Sequence, residues 1–146
     1  MSPQERIENK KEAWLTQIEH ISLQDPTICS LEADQKLFFK RPGLQHKVMK
    51  RLMRGEFYPA ECLDLHGLTV EQARATLLSF LAKHYMQDHR SVLVIHGKGH
   101  SSTAGPKLKN HVNAWLRQIP WVLAFVSAWP QAGGSGAVYV LLARKT

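Results

Sequence analysis

The sequence predicts a two-layer α/β domain in which two helices pack on one face of a mixed four-stranded sheet. From residue 59 onward, the segments alternate as strand, helix, strand, helix, strand and strand. Two strand–helix–strand crossovers, each right-handed and running the same way, place both helices on one face. A short glycine-rich turn joins the last two strands, so we expect the final strand to be antiparallel.

The chain is predicted to divide into an N-terminal helical extension with a basic segment, residues 1–58, and the α/β domain, residues 59–146. Apolar residues recur at helical spacing over 3–24, whereas 25–43 contain two prolines and a glycine and are typical of a linker. A short basic helix follows the linker. Because three strands of the domain are apolar on both faces, we expect the extension to cover the sheet face opposite the two helices.

Local signals predict each element of the domain in turn. The segment CLDLHG alternates in polarity as a strand does, and Thr69 with Gln72 forms a capping box that opens a helix over 69–88. The apolar run in SVLVIHGKG suits a buried parallel strand. A second helix is predicted between Pro106 and Pro120. The segments WVLAFVSAW and GAVYVLLAR are the last two strands, joined by PQAGGSG.

The net charge of +7 is unevenly distributed along the chain. Every acidic residue lies at or before Asp88, and seven Lys and Arg residues follow it. A second basic run extends from Lys40 to Arg54. Basic surfaces of this kind attract polyanions, so RNA or DNA is the expected partner.

Other classes of protein are disfavoured. The longest mostly apolar stretch, Trp121 to Trp129, is far shorter than the roughly 20 residues that a membrane helix needs. The N-terminus has no apolar signal core. We therefore expect a soluble, cytoplasmic, monomeric protein without membrane contact. Cys29 and Cys62 lack the spacing of a zinc site or a disulfide framework, and no cofactor is expected.

Three glycine-rich loops are predicted to meet at one rim of the sheet. DLHG and HGKG end the first two strands, and GGSG precedes the antiparallel fourth strand at the same edge. Each loop alone is typical of a structural turn, but together they offer peptide N–H groups and helix N-termini to an anion. The candidate phosphate-binding residues are Gly67, His96, Gly97, Gly99, His100, Gly133, Gly134, Gly136, Lys107 and Lys109.

Several motifs resemble the Smr (small MutS-related) domain in its stand-alone bacterial subfamily of the YdaL/SmrB type: LDLHGLTVEQAR, VLVIHGKG, LKNHVNAWL, VLAFVSAWPQAGGSGAVYVLL and the preceding FFKRPGLQHKVMKRLMRGEF. The resemblance spans about residues 38–146. It implies a fold like the C-terminal domain of a bacterial translation initiation factor, with sheet order 1-2-4-3. It also implies nucleic-acid nicking or RNA endonuclease activity, in some relatives on messenger RNA at stalled ribosomes. Asp64, His66 and Lys98 match the functional residues of the DLH and HGKG motifs.

The residue types at the rim favour metal-independent cleavage of RNA. A two-metal nuclease needs a cluster of carboxylates, whereas the rim is expected to offer one, Asp64. A carboxylate-rich metal site is therefore disfavoured. His66 can act as a general base on a ribose 2′-hydroxyl, with Asp64 orienting its ring. Lys98 would stabilise the phosphorane, and His96 or His100 would protonate the leaving 5′-oxygen. The expected catalytic residues are therefore Asp64, His66 and Lys98, and the products a 2′,3′-cyclic phosphate and a 5′-hydroxyl.

Two other functions remain open at this point. A metal-assisted DNA nickase would use Asp64 and His66 as ligands of a divalent ion. A non-catalytic RNA- or ribosome-binding module would have the same charge and fold.

Contact between the side chains of Asp64 and His66 is also open, because positions i and i+2 of a strand lie ~7 Å apart at Cα.

Overall fold

The structure, a computed structural model, describes residues 21–26, 31–98 and 107–145. Two 3₁₀ turns, Pro130–Ala132 and Gly134–Gly136, precede the last strand. In chain order the strands and helices are β1 (Phe38–Lys40), α1 (His46–Met53), β2 (Cys62–Asp64), α2 (Val70–Met86), β3 (Ser91–Ile95), α3 (Lys107–Gln118), β4 (Val122–Ser127) and β5 (Ala137–Leu142). Within the described ranges, no helix combines the length and the apolar character that crossing a membrane requires.

The five strands form one mixed sheet in the order β1-β4-β5-β3-β2. Strands β2 and β3 are parallel, whereas β5 runs antiparallel to both of its neighbours, β3 and β4. The four strands of the predicted domain therefore lie in the order 1-2-4-3, with the last one antiparallel. The predicted fold class is confirmed, and β1 is an additional edge strand.

Helices α2 and α3 pack on the same face of the sheet. Leu77 and Leu81 of α2 and Trp115 of α3 join one apolar cluster with Val94 and Val140 of the sheet. The capping box predicted at the start of α2 is present: the Gln72 N–H donates to the Thr69 hydroxyl and the Thr69 N–H to the Gln72 side chain. These two hydrogen bonds cap the N-terminus of α2, which follows the DLHG segment.

Residues of the extension join the apolar clusters on both sides of the sheet, including the predicted side opposite the two helices. Helix α1 packs on the face opposite α2 and α3, where Met49 and Leu52 join a second apolar cluster. Leu23 belongs to the cluster on the α2/α3 side, and the Arg74 guanidinium of α2 donates to the Asp25 carboxylate at 2.6 Å. The helix predicted over 3–24 lies outside the described residues except at its end, where residues 21–24 are not helical.

The segment predicted as a linker contains β1. This strand pairs antiparallel with β4, and the rings of Phe39 and Phe125 lie 5.2 Å apart between centroids. Beside it, the Arg41 guanidinium donates to the carbonyl oxygens of Val122 at 2.6 Å and Ile119 at 2.8 Å. Arg41 therefore fastens the edge of the sheet and does not extend the basic surface expected from Lys40 to Arg54.

Candidate functional site

Backbone hydrogen bonds join the three glycine-rich loops side by side at one rim. The Leu65 N–H donates to the Ile95 carbonyl at 2.7 Å, which continues the β2–β3 pairing into DLHG. The N–H groups of His96 and Gly97 donate to the Gly136 carbonyl at 3.0 and 2.9 Å. The loops DLHG, HGKG and GGSG are thus neighbours, in the arrangement that the strand order requires.

Glycine at two positions allows this close approach. Gly97 has a φ of +82°, in the left-handed region that favours glycine, and a Cβ there would lie 3.4 Å from the Cβ of His66. A Cβ on Gly136 would lie 3.2 Å from Lys98 Cγ and 3.3 Å from Lys98 N. The HGKG loop therefore fits between His66 on one side and the Gly134–Gly136 turn on the other.

Asp64 and His66 form a hydrogen-bonded pair on this rim. The distance between Asp64 Oδ1 and His66 Nδ1 is 2.6 Å, and the same oxygen accepts the His66 backbone N–H at 3.0 Å. Partial burial raises the pKa of Asp64, but the hydrogen bonds and charge of His66 outweigh it and hold that pKa below its ordinary value. A carboxylate accepts a proton donor, so Nδ1 carries the hydrogen and a neutral ring offers Nε2 as a base.

The pair remains open to a ligand. The side chains of His66 and Asp64 are 67% and 49% exposed. Among the described residues, no three His, Cys, Asp or Glu side chains are arranged to hold a metal ion. The arrangement resembles the orienting half of a catalytic triad, in which a carboxylate fixes the tautomer of a histidine base.

His96 is buried, contrary to its predicted contact with phosphate and the leaving oxygen. The residue is 3% exposed, and its Nδ1 lies 2.7 Å from the Gly97 carbonyl oxygen. Burial disfavours the charged ring and lowers the pKa of His96 to about 4, despite the opposing hydrogen bond to Gly97. A neutral, enclosed imidazole neither attracts a phosphate nor supplies a proton near neutral pH. The structure contradicts both predicted roles.

Lys109 is also buried, contrary to its predicted phosphate contact. The residue is 1% exposed. Its ammonium donates to the carbonyl oxygens of Glu32 at 3.3 Å, Ala33 at 3.0 Å and Gln35. Burial lowers the pKa of Lys109. Its ammonium therefore fastens residues 32–35 to α3 instead of meeting a ligand.

The remaining candidates divide by exposure. Lys98 and Lys107 are exposed, whereas Gly136 is buried and its carbonyl is used by the HGKG loop. Gly99 and His100 lie outside the described residues. Apart from these two lysines, four predicted phosphate-binding residues are exposed or partly exposed: Gly67, Gly97, Gly133 and Gly134.

A groove adjoins the rim at Lys98 and was not anticipated from the sequence. Its volume is about 590 Å³, and Lys36, Trp129 and Gly134 are among the residues that line it. Lys36 reaches the rim because β1 pairs with β4, and no local sequence signal indicates that pairing. One feature of the sequence could have indicated Trp129 as a binding residue. It is an aromatic residue directly before Pro130, beyond the end of β4.

Comparison with known proteins identifies similar proteins that are all related to the Smr domain. The family model for the Smr domain matches residues 63–143. The probable DNA endonuclease SmrA of Escherichia coli (strain K12) is 39% identical over 113 residues, which are 77% of this chain and 60% of that protein. The ribosome rescue factor SmrB of Pectobacterium carotovorum subsp. carotovorum (strain PC1) has the same identity and coverage. The chain thus spans about 60% of the length of these relatives.

Solved structures agree with the fold. The crystal structure of YdaL, a stand-alone small MutS-related protein from Escherichia coli, has a TM-score of 0.74 and 34% identity, and the match covers 84% of this chain and 94% of that one. The Smr domain of Thermus thermophilus MutS2 has a TM-score of 0.50 and 29% identity, over 57% of this chain and 98% of that domain.

Proposed function

The chain belongs to the Smr domain family, and we propose that it is an endonuclease that cuts RNA by metal-independent attack of a ribose 2′-hydroxyl. The observation that carries the proposal is the exposed Asp64–His66 pair, with 2.6 Å between Oδ1 and Nδ1. Lys98, which is exposed, follows Gly97, the residue of the HGKG loop that lies against His66. The rim therefore offers a base, its orienting carboxylate and a charge for the phosphate.

The proposed reaction moves protons as follows. Asp64 accepts a hydrogen bond from Nδ1 of His66, and Nε2 removes the proton of the 2′-hydroxyl. The freed oxygen attacks phosphorus, the bond from phosphorus to the 5′-oxygen breaks, and that oxygen leaves with a proton. Lys98 and the peptide N–H groups stabilise the added negative charge. Because His96 is buried, the proposed proton donor is His100, outside the described residues.

The proposed substrate is messenger RNA on ribosomes in the cytoplasm. The association with ribosomes is supported by the name of the relatives called ribosome rescue factor SmrB. The chain is shorter than those relatives, so its association with ribosomes is tested separately, by cosedimentation with them. A monomer remains the expected oligomeric state.

Two substitutions test the assignment. Asp64→Asn keeps the size of the side chain and removes the charge that fixes the tautomer, so it should slow cleavage of labelled single-stranded RNA by about 10²- to 10⁴-fold. His66→Ala should abolish cleavage and leave RNA affinity within a few-fold, because a lost base reduces rate and not charge complementarity. Glu71→Gln is the matched control, since it removes one exposed carboxylate from the first turn of α2. Cleavage by Asp64→Asn at the wild-type rate contradicts the assignment.

A metal-assisted DNA nickase is the second candidate, favoured by the name of the relative called probable DNA endonuclease SmrA. In that reaction, Asp64 and His66 would bind a divalent ion. The same assay distinguishes it, because EDTA would stop cutting and Mg²⁺ or Mn²⁺ would restore it. Tight RNA binding with no cutting of RNA or DNA would instead indicate a non-catalytic binding module.

A further inference from the structure

We propose that the groove beside Lys98 binds one base of the substrate strand by stacking it on Trp129. This inference rests on the proposed function, because the ligand is the strand that is cut at Asp64 and His66. It adds a site for a nucleobase next to the cleaved phosphate.

Trp129 is an exposed aromatic residue held in place by the protein. It is 47% exposed, and its Nε1–H donates to the Met53 carbonyl oxygen at 2.7 Å. This bond satisfies the polar atom of the indole and anchors the ring to the end of α1. A fixed aromatic ring with no unmet polar group is suited to stacking, since little side-chain freedom is lost on binding.

The groove has the charge and size for a nucleotide. Lys36 and Lys98 contribute two exposed ammonium groups, against one carboxylate from Asp34. Its volume of about 590 Å³ lies within the roughly 300–1,000 Å³ of typical small-molecule sites. A nucleotide combines an anionic phosphate with a flat aromatic base, and the groove offers cations and an aromatic ring for these two parts.

The position of the groove relates it to the site of cutting. Lys98 lines the groove and belongs to the loop that packs against His66. A phosphate held near Lys98 therefore has a neighbouring base within reach of Trp129. Met53, on the groove wall, is the last residue of α1, whose Lys47 and Lys50 are exposed. The groove thus leads from the catalytic rim toward a basic helix along which the strand can continue.

The test compares two uncuttable ligands on the full chain. One is a labelled 2′-O-methyl RNA oligomer, which has bases but no free 2′-hydroxyl. The other is a phosphodiester strand of equal length without bases. Fluorescence anisotropy at one salt concentration gives both affinities, and their ratio isolates the contribution of the bases. We expect the wild type to prefer the base-bearing strand by about tenfold, the size of one base–aromatic stack.

Substitutions then test whether Trp129 is responsible for the preference for the base-bearing strand. Trp129→Ala should lower the ratio to near one, while Trp129→Phe, which keeps a ring but loses the bond to Met53, should retain most of it. Tyr58→Ala is the matched control, because Tyr58 is 92% exposed and does not line the groove. A ratio unchanged in Trp129→Ala overturns the proposal. Equal loss in the Ala and Phe variants also overturns it, since the effect then belongs to the hydrogen bond.

Failure of this inference and failure of the proposed function give different results. If ordinary RNA is cut by the wild type and not by His66→Ala, but the ratio does not depend on Trp129, the endonuclease stands and the stacking site is wrong. If the ratio depends on Trp129 and no RNA is cut, the groove binds bases and the endonuclease is wrong.

Discussion

Burial separates side chains of the same type at the candidate site. His66 and Lys98 are exposed, whereas His96 and Lys109 are buried and bonded to backbone carbonyls. The sequence could not distinguish them, because histidine and lysine are polar in either position. Their burial depends on which way the chain turns after β3 and on the packing of residues 32–35 against α3.

The contact between Asp64 and His66 was only partly predictable. Alternation along the strand correctly puts both residues on one exposed face. The distance between Cα atoms left their contact open. The Asp64 carboxylate also accepts the His66 backbone N–H, and this Asx-type turn draws the two side chains together.

The buried His96 makes stability depend on pH. Its pKa is lowered to about 4 in the folded protein, whereas an unfolded histidine titrates at about 6.5. The unfolded state therefore binds more protons between these values, so stability falls as the pH decreases from 7 toward 4. Between pH 7 and 5, we expect the wild type to lose about 2 kcal/mol more free energy of unfolding than His96→Gln. Urea unfolding at both pH values measures this difference, and equal losses would contradict it.

At the scale of elements, long periodic segments were predictable and short pairings were not. Helices α2 and α3 follow apolar periodicity, and the capping box begins α2 as predicted. Strand β1 has three residues, too few to show a period. It forms because it pairs with the edge of β4 and because Phe39 packs on Phe125. Both contacts join residues far apart in the sequence. Helix α1 was predicted as a helix, and the apolar strands predicted that the extension would cover the sheet face on which α1 packs.

Helix α1 should stabilise the domain by covering the sheet. Met49 is fully buried in the cluster with Ala124 and Leu141. Met49→Ala should therefore lower the free energy of unfolding by about 2–5 kcal/mol, the usual cost of a truncated core methionine. Met53→Ala is the matched control in the same helix, because Met53 is 44% exposed, and it should change stability by less than about 0.5 kcal/mol. Urea denaturation measures the free energy of unfolding of both variants. Equal losses would contradict the stabilising role of α1 on this face.

At the scale of the whole molecule, net charge alone overstates the surface available to a polyanion. Lys109 and Arg41 bind backbone carbonyls inside the fold, and Arg90 donates to the Leu142 carbonyl. The sequence predicted the basic half of the chain but not these internal uses, which depend on tertiary contacts. Lys98 and Lys107 remain exposed.

Binding of single-stranded RNA should therefore weaken steeply with salt. The logarithm of the affinity should fall with the logarithm of salt concentration by about 0.7 for each phosphate neutralised. Lys98→Gln should make this slope shallower by about 0.7, because one phosphate contact is lost. Lys83→Gln is the control, since Lys83 is already paired with Glu61 at 3.4 Å, and it should leave the slope unchanged. A nearly flat wild-type dependence, measured by fluorescence anisotropy, would contradict an electrostatic interface.

In the proposed reaction, the Asp64–His66 pair cuts RNA through the ribose 2′-hydroxyl. The most direct measurement is end-group analysis of the products of a labelled single-stranded RNA incubated with the wild type in EDTA. We expect cleavage that leaves a 2′,3′-cyclic phosphate and a 5′-hydroxyl, and no cleavage where a single 2′-deoxy nucleotide replaces the one that is cut. Products with a 3′-hydroxyl and a 5′-phosphate, formed only when Mg²⁺ or Mn²⁺ is added, would contradict it.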